Sequence, residues 1–71
     1  MDDDKTSLQQ LLHDLRTPLN AIVGYSELLI EEATEANNAQ QEADLRRIHQ
    51  AATTLWEKLD ELAARLIQGK P

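Results

Sequence analysis

The sequence predicts an all-α fold: an antiparallel two-helix hairpin that homodimerises into a four-helix bundle. Three observations carry this prediction. Two long runs repeat apolar residues at spacings of three and four, the period of a helix seam and not of a strand. A short polar segment separates them, and so short a connection makes the two helices antiparallel neighbours. Further apolar residues flank both seams, more than two helices can cover between them.

The elements follow in chain order. Met1 to Lys5 read MDDDK, an expression-tag remnant or a disordered N-terminus, and the hairpin domain is expected over 6–68. Helix 1, expected over about 7–34, carries Leu8, Leu12, Leu15, Leu19, Ile22, Leu29 and Ala33 in its seam, with Ser26 in the intervening slot. Thr6 or Ser7 can cap its start, because Gln9 and Gln10 stand three positions later. The turn, about 35–39, contains Asn37, which tolerates the left-handed conformation at a helix end. Asn38 with Gln41 can cap the next start. Helix 2, about 40–67, repeats Leu45, Ile48, Ala52, Leu55, Leu59, Leu62 and Leu66. Gly69, Lys70 and Pro71 read as a helix stop and a linker stub toward a missing C-terminal domain.

Length and composition argue for a second copy. A chain of 71 residues with no cysteine, no Phe, one Trp and one Tyr makes one small domain, and alone it hides roughly 60% of its unfolded surface. Helix 1 adds Leu11, Val23 and Ile30 beside its seam; helix 2 adds Ala51, Trp56, Ala63 and Ile67. Two hairpins about a two-fold axis would share one core. The net charge of −6 argues against a nucleic-acid surface. No apolar run approaches the roughly 20 residues of a membrane span. The absence of cysteine fits a reducing compartment.

The chemistry-bearing stretch is His13-Asp14-Leu15-Arg16-Thr17-Pro18-Leu19-Asn20. With Leu12 and Leu15 in the seam, His13 falls beside it, reachable from water. Arg16, Thr17 and Asn20 share its face at helical spacing. Pro18 lacks an N–H and clashes with the Asp14 carbonyl, which costs about 3 kcal/mol in an uninterrupted helix. A sequence that keeps Pro18 and Gly24 beside an exposed histidine points to a retained bend.

Residues 13 to 29, HDLRTPLNAIVGYSELL, resemble the H-box of HisKA-type sensor histidine kinases, H-[ED]-[LI]-R-T-P-L. The resemblance covers essentially the whole chain and implies a dimerisation and histidine phosphotransfer (DHp) domain. It makes His13 the phosphoacceptor. Asp14 matches the adjacent acid that accepts a hydrogen bond from the other ring nitrogen, and Thr17 the position that orients water for dephosphorylating a response regulator. Arg16, Pro18 and Asn20 match the pattern as supporting residues. On an ideal helix neighbours point roughly 100° apart, so Asp14 reaches the ring poorly unless the helix bends. The family's ATP-binding domain has no counterpart in these 71 residues, and Gly24 and Gly69 form no phosphate loop. ATP with magnesium is therefore implied for a separate catalytic domain. The chain itself is expected to bind no cofactor or metal and to be inactive as a kinase alone. Implied partners are a second copy, that catalytic domain and a receiver domain; the implied location is the bacterial cytoplasm, with a membrane anchor elsewhere in the protein.

Blander readings hold for the rest. His49 reads as surface, Glu31, Glu32 and the acids from Glu57 to Glu61 as solvated helix faces, and Trp56 as bundle filling. Two alternatives compete with the kinase reading: a HisKA-like dimeriser coupled to a different output domain without histidine phosphorylation, and a plain coiled-coil scaffold. The polar stripe and Pro18 speak against the scaffold.

Overall fold

A computed structural model describes the backbone of residues 2–68 and the side chains of residues 7–66. The stop signal expected at Gly69 to Pro71 and the side chain of Ile67 lie outside the described residues. Two helices, α1 (Asp2–Glu35) and α2 (Ala39–Gln68), pack as an antiparallel hairpin. The all-α class and the hairpin are as the sequence predicts.

α1 begins at Asp2, so neither Thr6 nor Ser7 is its cap, and residues 2–5 are helical instead of disordered. No helix breaker separates Asp2 from Ser7, and acidic residue types suit a helix N-terminus. Its 34 residues correspond to about 51 Å of rise, close to the 54 Å long axis of the molecule. The bend expected at Pro18 therefore does not interrupt the helix.

The turn is three residues long. Asn37 takes the left-handed conformation, φ 56°, and its N–H donates to the Thr34 carbonyl at 3.1 Å while the Asn38 N–H donates to that of Ala33 at 2.9 Å. This pair of bonds is a Schellman motif. Asn38 then starts α2: its Oδ1 accepts from the Gln41 N–H at 3.1 Å, and its carbonyl accepts from the Glu42 N–H at 2.9 Å. Because the Asn38 N–H is already committed to α1, Gln41 Oε1 takes the Asn38 side-chain amide instead, at 3.0 Å. One residue thus closes one helix and opens the next, which holds the hairpin tight.

Burial divides the expected seam in two. Leu12, Leu19, Ser26 and Ala33 on α1, with Leu45, Ala52 and Leu59 on α2, are buried at intervals of seven. Ser26 fits there because its hydroxyl donates to the Val23 carbonyl at 2.8 Å. The other half of the seam, Leu15, Ile22, Leu29, Ile48, Leu55 and Leu62, is exposed. Val23, Trp56 and Ala63, from beside the seam, pack against the core in its place, along with the half-buried seam residue Leu66. The hairpin is rotated toward one flank, where two polar pairs cross between the helices: an ion pair of Arg16 Nη2 with Asp60 Oδ1 at 2.9 Å and a hydrogen bond between His49 Nε2 and Glu27 Oε2 at 3.0 Å. The opposite, apolar flank is left open. Leu19→Ala should therefore cost about 2–5 kcal/mol in urea unfolding at fixed protein concentration, because Leu19 is 4% exposed at the centre of the core.

Candidate functional site

The ion-paired flank is also the flank of the histidine. His13, Asn20 and Glu27 follow one another along it at intervals of seven residues, and all three are exposed. Thr17, one turn from His13, is exposed as well, while Arg16 is half-buried. Below them Asn20 lines a shallow depression with Val23, Thr53, Trp56 and Glu57. Imidazole, hydroxyl, amide and guanidinium groups are thus presented to solvent on one face of α1, as helical spacing dictates.

Two sequence-predicted residues sit elsewhere. Asp14 Oδ1 accepts from Gln10 Nε2 at 3.0 Å, and among the described residues no hydrogen bond joins Asp14 to His13. Pro18 lies on the other flank, where it lines an apolar groove with Leu15, Ile22 and Leu55. The proline ring forms part of the wall of that groove, and its missing N–H leaves the Asp14 carbonyl without a helical donor.

Asp60, Glu27 and the part-buried His49 were not assigned to this flank on sequence. A signal existed: the residue numbers of each crossing pair, 16 with 60 and 27 with 49, add to 76. A tight turn at Ala36 to Asn38 sets that antiparallel register. Among the described residues no group of His, Cys, Asp or Glu could hold a metal ion. No described helix is long and apolar enough to cross a membrane.

The family model for the His Kinase A (phospho-acceptor) domain matches residues 5–68. The chain belongs to this family. The chain is similar to the aerobic respiration control sensor protein ArcB of Escherichia coli strain K12, 47% identical over 53 residues. The ArcB proteins of Shigella flexneri and Escherichia coli O157:H7 match to the same extent. The aligned part covers 75% of this chain and 6% of each relative, so the chain spans a small fraction of their length. No solved structure gives a significant match. The H-box resemblance and the two-helix hairpin therefore agree with an independent family assignment.

Proposed function

We propose that the chain is the dimerisation and phosphoacceptor domain of a two-component sensor histidine kinase. A ring nitrogen of His13 attacks the γ-phosphorus of ATP, held with magnesium by a separate catalytic domain; the bond to the bridging oxygen breaks and ADP leaves. The proton on the other ring nitrogen is then free to pass to solvent or to Asp14. The phosphoryl group moves on to an aspartate of a receiver domain. ATP as donor fits a domain that works in the cytoplasm, and the matching ArcB proteins are bacterial. The observation that supports the reading most is the exposed His13 inside a complete His-Asp-Leu-Arg-Thr-Pro-Leu run, in a chain matched by the phospho-acceptor family. An acid-labile, alkali-stable phosphate on His13 is its test.

The dimer in this reading is supported by exposed area. The chain shows 5585 Å² to solvent, against about 4450 Å² expected for a folded monomer of its mass. Its radius of gyration is 16.3 Å, where a compact chain of this length has about 11 Å. Part of the exposed surface is an unbroken apolar flank: Leu15, Ile22 and Leu55 border the groove of Pro18, and Ile48 and Ala51 prolong it along α2. A second copy laid on this flank completes the core and leaves His13 outside. Sedimentation equilibrium should give a dimer at micromolar concentration. Leu55→Asp should shift it toward monomer and lower helicity together, because the open flank cannot be wetted without loosening the hairpin. A well-folded wild-type monomer at 8 kDa would defeat the proposal.

A further inference from the structure

Arg16 is held by less than it can offer. A guanidinium carries five N–H donors, yet among the described residues its one hydrogen bond is Nη2 to Asp60 Oδ1 at 2.9 Å, and its Nε is buried without a partner there. Arginine often engages a carboxylate through two parallel bonds, and this one does not. Both side chains also remain partly wet, 32% exposed for Arg16 and 55% for Asp60, and an exposed pair of that kind is weak. Arg16 stands three residues from His13 on a continuous helix, a separation that brings Cβ atoms within about 5–6 Å. A phosphoryl group on His13 would present close to two negative charges and three acceptor oxygens. Against that, a single carboxylate oxygen is the poorer partner.

We propose that Asp60 is a positioning residue for the phosphorylated site. It holds the Arg16 guanidinium on the flank of His13 and competes with the phosphoryl group for it. Phosphorylation of His13 draws Arg16 off Asp60, which releases one of the two polar pairs described between α1 and α2 on this flank. The inference rests on His13 being the phosphoacceptor. Asp60 lies 44 residues from Arg16 in sequence and outside the H-box.

Phosphoramidate tests this on the chain as it stands, without a kinase domain. Its P–N bond breaks as ammonia leaves, a ring nitrogen of His13 bonds phosphorus, and a ring proton is lost to solvent. Two readings follow labelling: the half-life of phosphohistidine, and the ¹H–¹⁵N resonance of Arg16 Nε–H. Asp60→Asn should lengthen the half-life by about two- to fivefold, the span an exposed charge pair supports. Asp60→Glu should return it toward wild type, and Arg16→Gln should shorten it. Asp60→Asn should have no further effect in the Arg16→Gln background, and the Arg16 resonance should move when wild type is phosphorylated. An unchanged or shortened half-life in Asp60→Asn would overturn the proposal, as would an effect that survives in Arg16→Gln or an Arg16 signal indifferent to phosphorylation. Wild type that takes no label on His13 would bring down the phosphoacceptor reading and this inference together. Normal labelling with any of the preceding failures would bring down the inference alone.

Discussion

Supplied with ATP and a matching catalytic domain, the chain should gain one phosphate per protomer, acid-labile and alkali-stable, and His13→Gln should abolish it. The lability pattern follows from the bond. A phosphorus–nitrogen link breaks when the nitrogen is protonated and survives in base, unlike a phosphoserine ester. His13 is exposed on α1, so an incoming γ-phosphate meets it without rearrangement of the core, and Gln keeps a polar side chain there but no ring nitrogen to attack with. The chain has two histidines, and the other supplies the control. His49 Nε2 already faces Glu27 Oε2 at 3.0 Å across the hairpin and its side chain is 29% exposed. Its ring is thus engaged in a contact between helices and stands outside the H-box. His49→Gln should leave labelling intact and cost no more than about 1 kcal/mol of stability. Label that persisted in His13→Gln, or vanished in His49→Gln, would reverse the assignment.

The hairpin was legible because its signals are local. Asn37 and Asn38 announce a helix stop and a helix start by residue type, and both act as their types allow. The rotation of the hairpin was not legible. A repeat of three and four marks Leu15, Leu19, Ile22 and Leu55 alike as seam, but two different neighbours can cover a seam that wide. Which half each covers is set by how Val23 packs against the core with Trp56 and Ala63, which stand 33 and more positions from it in sequence. That is a property of register, and it escapes a window of one or two helical turns. The same gap explains Arg16. Its neighbours His13 and Thr17 point to phosphate chemistry, whereas the carboxylate that holds it arrives from α2. The N-terminal start failed for a simpler reason: Thr6 and Ser7 are capable caps, but capping residues do not stop a helix that has no breaker before them.

Asp14→Asn should slow phosphoryl gain by about 10²–10⁴, the range of acid–base assistance, while Thr17→Ala should spare it. In the resting chain Asp14 is occupied, its Oδ1 accepting from Gln10 Nε2 at 3.0 Å. To serve His13 it offers Oδ2 to, or exchanges the amide on Oδ1 for, an imidazole that becomes cationic as phosphorus is attacked. The bond from the Gln10 amide already has an ionised acceptor; an imidazolium adds a charged donor to it, so the ring becomes the stronger partner when it charges and not before. The amide introduced by Asp14→Asn would keep the shape and lose the charge, which removes the stabilisation at the step where it is needed. Gln10→Ala makes the complementary case: it frees Asp14 and should not slow labelling. Thr17 is exposed one turn from His13, with a hydroxyl suited to a water and too short to hold the ring. Its loss should weaken dephosphorylation of a bound phospho-receiver. Both side chains lie off the buried seam, so the dimer should stay within about 0.5 kcal/mol of wild type. The measurement is a pair of rates for each variant, with catalytic domain and receiver supplied separately. Were Thr17→Ala to lose phosphoryl gain and Asp14→Asn only phosphatase activity, the two roles would be exchanged. Were neither rate to move, a dimeriser that couples to some other output domain would describe the chain better than a phosphoacceptor does.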